Sequence, residues 1–91
     1  MISGQSDSLR ALINTAVNQL LSITGLQLST VVGVSRAETN WVIAVELVEK
    51  RSIPDSMDIL GLYEVTIDGR GQMMGFSRKS LRKRGDTENS V

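Results

Sequence analysis

Leu9, Leu12, Ile13, Ala16, Val17, Leu20 and Leu21 recur at three- and four-residue intervals. That spacing is one face of an α-helix held for more than three turns. Ser6 or Asp7 is placed to cap its start, and Asp7 also suits the positive end of the helix dipole. Gly25 supplies the stop, because it takes a left-handed conformation without steric cost. Beyond Gly25 the period drops to two. Leu26–Arg36 reads as a strand with Val32 and Val34 on one side and a bulge or close helix approach at Gly33, and Ala37–Asn40 reads as a hairpin connection. Trp41–Glu49 is a second strand with Trp41, Ile43, Val45 and Leu47 on one face and Val42, Ala44, Glu46 and Val48 on the other.

Ser52–Asp58 contains the one proline of the chain, Pro54, and reads as a connection in which Asp55 and Asp58 can form side-chain turns. Leu60–Asp68 resumes the alternation, with Tyr63, Val65 and Ile67 facing a core and Leu62, Glu64 and Thr66 facing away. Asp68–Gly71 is a tight-turn signal, and Gln72–Lys79 forms a fourth strand. The predicted fold is therefore α+β: an N-terminal amphipathic helix packed on a four-stranded antiparallel β-meander. One domain over residues 8–82 is expected, between a flexible N-terminus (1–7) and a flexible C-terminal tail (83–91).

Composition narrows the chemistry. The 91 residues include no cysteine and no histidine, which removes disulfides, imidazole or thiolate zinc sites, and triads built on histidine. Carboxylate, lysine and tyrosine chemistry remains. A chain this short buries roughly 60–65% of the surface its unfolded form exposes, too little to support a large cavity. Absence of cysteine and of a signal peptide suits a reducing cytoplasm, and the apolar helix is too interrupted by polar residues to span a bilayer. Net formal charge is zero but unevenly placed. Arg78, Lys79, Arg82, Lys83 and Arg84 form a basic end, and the body before them is acidic.

Glu46 and Glu64 stand out because they interrupt strand-like runs. A register that sets Leu47 opposite Tyr63 also sets these two carboxylates opposite each other. Such a pair could serve acid–base chemistry or hold a divalent cation. Both uses need a cleft, which the pattern does not supply, so the preferred reading puts both on an outer sheet face beside basic residues such as Arg78. That face also carries Val42, Ala44, Val48, Leu60 and Leu62, and a mixed apolar and charged strip more often marks a partner surface than an enzyme site. The basic run 78–84 offers phosphate contacts, and a small nucleic-acid-binding regulator is the alternative function. It lacks interleaved aromatics for base stacking, which favours pairing with the domain's own carboxylates. Asp68–Gly71 lacks the longer glycine pattern and following helix of a phosphate loop.

The block from Trp41 to Arg78 resembles the gas vesicle synthesis protein GvpO family. The matches are Trp41, the Glu46-x-x-Glu49 spacing, Arg51, Ile53-Pro54-Asp55, Asp58, Tyr63-Glu64-Val65, Gly75 and Arg78. Phe76 stands where the family tends to have tyrosine. The resemblance implies a small cytoplasmic accessory protein for gas vesicle assembly, distinct from the main shell subunit. It would have no cofactor, metal or catalytic set and would associate with gas vesicles or their assembly intermediates. The partners it implies are other gas vesicle proteins, among them the AAA-type ATPase GvpN, rather than nucleic acid or membrane. Residues expected to carry the interaction are Glu46, Glu49, Arg51, Asp55, Asp58, Leu62, Glu64 and Arg78.

Overall fold

A computed structural model of the chain describes residues 3–86, with side chains from Ser8 onward. Helix α1 (Ser3–Thr24) is followed by strands β1 (Gln27–Ala37), β2 (Asn40–Lys50), β3 (Ile59–Ile67) and β4 (Met73–Lys83), with a single 3-10 turn at Asp55–Met57 between β2 and β3. The strands form one antiparallel sheet in the order β1-β2-β3-β4. This is the α+β meander that the periodicity predicts.

The helical stripe does what its spacing requires. Ala16, Val17 and Leu20 pack with Ile43, Val45 and Leu47 of β2 and Tyr63, Val65 and Ile67 of β3, and Leu12, Ile13, Leu21, Trp41 and Met73 close the margins. The residues expected to face the core on β2 and β3 are those that do. At the helix end Gly25 takes φ +72°, and its amide donates to the Leu21 carbonyl at 2.8 Å. Thr24 Oγ1 donates to the Leu20 carbonyl at 2.9 Å and accepts from the Leu26 amide at 3.2 Å. Carbonyls and amides left over at the helix terminus are thereby satisfied before β1 begins. No helix among the described residues is long and apolar enough to cross a membrane.

Four expectations shift. Ser6 and Asp7 lie inside α1 rather than at its cap, since the described helix already includes Ser3. A formed helix extends backward at one hydrogen bond per residue, and no proline opposes it here. In β1 the register steps between Val31 and Gly33, so Val32 is the extra residue of the bulge, and Val31, not Val32, shares a face with Val34. Strand β4 runs to Lys83, four residues past the expected end. The charges that read as a tail are tolerated because they meet carboxylates, as described below. Of the flexible ends expected at 1–7 and 83–91, residues 1–2 and 87–91 lie outside the described residues, 3–7 belong to α1 and Lys83 to β4.

The fourth shift concerns register. Val45, not Leu47, opposes Tyr63; Ala44 opposes Glu64, and Glu46 opposes Leu62. The slip is two residues. An even slip leaves every side chain on its expected face, so the core survives it, while the direct opposition of Glu46 and Glu64 does not.

Both hairpin turns follow local chemistry. Glu38 takes φ +58° in the β1–β2 turn, and Gly71 takes φ +89° in the β3–β4 turn. Asp68 Oδ1 accepts from the Arg70 and Gln72 amides, each at 2.9 Å, which holds the Asp68 carboxyl below its ordinary value of 3.8. Of the two glycines flanking Arg70, Gly71 alone has positive φ, and a side chain there would also press on Leu12.

Leu20 is fully buried, whereas Ile53 is 99% exposed. Leu20→Ala is expected to lower stability by about 2–5 kcal/mol, and Ile53→Ala to change it by no more than about 0.5 kcal/mol. Urea unfolding midpoints at constant slope measure both.

Candidate functional site

On β2 Glu46 lies on the face away from α1, while Glu49, the extra residue of a bulge between Val48 and Lys50, turns to the helix face, where it meets Tyr63. On β4, Arg78 and Arg82 are four apart and would share a face in a regular strand. A register step between Leu62 and Tyr63 makes Lys79 the extra residue of a bulge. Arg78 then opposes Tyr63, while Arg82 opposes Leu60. One arginine therefore lies on each face, matching one glutamate on each face.

On the outer face Arg82 reaches across β3 to Glu46. Its Nε donates to Oε2 at 2.7 Å and its Nη2 to Oε1 at 3.0 Å, a forked pair that fits guanidinium and carboxylate planes. The side chain must pass over β3 between Leu60 and Leu62 to make it. Its apolar stem explains why Leu60, with no helix above it, is 1% exposed. Glu46 is 8% exposed. Glu64 meets Lys79 at 3.8 Å on the same face in a more open pair.

On the helix face Glu49 Oε2 accepts from the Tyr63 hydroxyl at 2.6 Å and lies 3.6 Å from Arg78 Nη1. Gly61 makes the room, since any side chain there would occupy the space of the Glu49 carboxylate. The Tyr63 phenol is pushed above its ordinary 10.0, first by burial and then by Glu49. Tyr63 also stacks in tilted fashion on Phe76 at 6.3 Å between ring centroids.

A third carboxylate closes the end of the sheet. Asp58, 1% exposed, accepts from the Ser52 amide at 2.7 Å through Oδ1 and from Arg84 Nη2 at 3.2 Å through Oδ2. The Arg84 amide donates to the Asp58 carbonyl and the Gly85 amide to the Ser56 carbonyl, both at 2.8 Å. Asp58 is held below its ordinary 3.8, first by the Ser52 amide and then, against the opposing effect of burial, by Arg84. Arg51 donates to the Gln27 side chain, tying the connection to the start of β1. Asp55 is exposed at the head of the 3-10 turn.

The eight candidate residues thus divide. Glu46, Glu49, Asp58, Glu64 and Arg78 are parts of the ion-pair lacing, Glu64 and Arg78 with half-exposed side chains, and Arg51, Asp55 and Leu62 remain partly or fully exposed outside it. Arg82, Arg84 and Tyr63, partners in that lacing, were not among the candidates. For the two arginines the signal was the basic run itself, whose bulge at Lys79 conceals which face each cation takes. Among the described residues no group of three or more acidic side chains is placed to hold a metal ion.

The family model for the gas vesicle synthesis protein GvpO matches residues 3–88. The chain belongs to that family. Gas vesicle protein O of Streptomyces sp. is 33% identical over 86 residues, which cover 94% of this chain and 67% of the relative. Gas vesicle protein O1 of Halobacterium salinarum is 39% identical over 62 residues, 65% of this chain and 52% of that protein. Gas vesicle protein O of Haloferax mediterranei is 39% identical over 51 residues, 56% and 36% of the two chains. This chain therefore spans about half the length of the second of these relatives and about a third of the last. No solved structure matches.

Two measurements check the lacing. Arg82→Met leaves the nearly buried Glu46 without its guanidinium and should cost about 1–3 kcal/mol, whereas Lys79→Met, which opens an exposed pair, should cost less than about 1 kcal/mol. Equal losses would show that burial does not set the value of these pairs. Tyr63 is the one tyrosine, so phenolate absorbance reports it directly. Its midpoint should lie above 10.0 and fall in Glu49→Gln. A raised folded midpoint stabilises the protein fully below the unfolded value, and this contribution is lost as pH rises through the folded midpoint.

Proposed function

We propose that this chain is a non-enzymatic accessory factor of gas vesicle assembly that acts by binding other gas vesicle proteins, with the AAA-type ATPase GvpN among the partners to test first. Family membership supplies the biological setting. The observation that carries the mode of action is the lacing: Glu46, Glu49, Asp58 and Glu64 each face a cation from β4 or the residue after it. Carboxylates clamped in this way rigidify a surface rather than cycle protons across a substrate. The outer face then offers Val42, Ala44, Leu62 and Thr66, half-buried, around the Glu64–Lys79 pair. This mixture suits a protein contact. The same pairs weaken the nucleic-acid alternative, because Arg78, Lys79, Arg82 and Arg84 already oppose carboxylates and the charge left for phosphates is small.

The docking face is tested with Leu62→Arg combined with Glu64→Lys, in co-purification with each gas vesicle protein and in complementation of a strain lacking the corresponding gene. The expected result is loss of capture and of vesicles with an unfolding midpoint close to wild type. Capture unchanged by the double variant sinks the outer face as the docking surface. Glu46→Lys is not a substitute, since it breaks the Arg82 pair and its effect would be one of stability.

A further inference from the structure

We propose that two copies of this chain associate through β1, edge to edge and antiparallel, so that their sheets continue into one. This goes beyond the assembly reading and does not depend on it. The sheet has two edges, β1 and β4. Strand β4 carries Arg78, Lys79, Arg82 and Lys83 over its second half, beyond the uncharged Met73–Ser77, and charges on an edge strand resist further pairing. Strand β1 has no charged residue from Gln27 to Ser35 and no proline.

Its helix-side row is also only partly covered. Helix α1 packs on β2, β3 and β4, and one helix about 10 Å across cannot roof four strands set about 4.8 Å apart. Leu28, Val31 and Val34, directly opposite Leu47, Val45 and Ile43 of the core, are 38%, 39% and 37% exposed.

The occupant is a second copy because the row is its own complement. One register step falls between Leu28 and Thr30 and another between Val31 and Gly33, which brings three apolar residues to one face at equal intervals of three. A two-fold axis through Val31 sets Val31 against its mate and each Leu28 against the Val34 of the other copy, with no like charges opposed. The same bulges confine the shared hydrogen-bonded ladder to a short stretch around Val31, so the contact is small and reversible. Growth beyond two copies is opposed by the cations on the second half of each outer β4 strand.

Sedimentation velocity of the full chain from about 1 to 300 µM, a range that brackets micromolar dissociation constants, should show a shift from monomer to dimer. Val31→Lys opposes two charges at the axis and should leave only monomer, with its fold checked by circular dichroism. Should Val31→Lys not fold, Val31→Cys in the otherwise cysteine-free chain serves instead. Antiparallel pairing places the two positions within disulfide reach, so it should cross-link at least tenfold faster than Met74→Cys on β4. A wild-type chain that stays monomeric throughout the range overturns the proposal. So does a dimer indifferent to Val31→Lys, or equal cross-linking at the two cysteines.

Discussion

Two arginine–glutamate struts cross the third strand, one on each face of the sheet, and the rest of the molecule is arranged around them. Arg82 reaches Glu46 on the outer face, and Arg78 approaches Glu49 on the helix face. Each links β4 to β2 over β3, so the outermost basic strand is fastened to the centre of the sheet by side chains as well as by its ladder. Without them the second half of β4 would hold its cations to the sheet by little beyond backbone hydrogen bonds and the exposed Lys79–Glu64 pair. The struts are also why a small chain keeps its outer face dry at one end. Arg82 covers Leu60 where no second layer exists, and that substitutes for part of the core that 91 residues are too few to build.

A single bulge makes the two-sided arrangement possible. Glutamates three apart on β2 point to opposite faces, while arginines four apart on β4 would point to the same one. The extra residue, Lys79, inverts the parity between Arg78 and Arg82, and Lys79 itself turns to Glu64. Asp58 continues the logic beyond the strands. It binds the connection at Ser52 and the chain beyond β4 at Arg84, so the segment around Pro54 is held from both ends. Consequently the surface that remains for partners is set by what the lacing leaves over, namely the half-buried residues around Leu62 on the outer face and the uncharged edge at β1.

Much of this was legible in the chain. Helical periodicity from Leu9 to Leu21 and strict alternation in β2 and β3 survive any small error of register, since both depend on parity and spacing rather than on which residues meet. The pairing of basic end with acidic body was legible as a charge imbalance. Individual partners were not: Arg78 was expected near Glu46 or Glu64 and lies near Glu49, because a bulge cannot be placed from alternation alone when the strand carrying it is polar on both sides. The opposed pair Glu46 and Glu64 failed for a related reason. Register depends on the length consumed by the 3-10 turn and the irregularity at Glu49, neither of which has a period.

Sequence alone determined the elements, their order, the buried faces of α1, β2 and β3 and, through the Trp41–Arg78 block, the GvpO family. These are properties of spacing and residue type, which act locally. Tertiary structure decided which charges are scaffold and which are surface. It turned Glu46 and Asp58 from candidate contacts into buried anchors and made Arg82 and Arg84 their counterions. It also left Leu28, Val31 and Val34 partly exposed on the edge strand. Such outcomes depend on distances between strands far apart in the chain, where a shift of two residues preserves every face and still changes every partner.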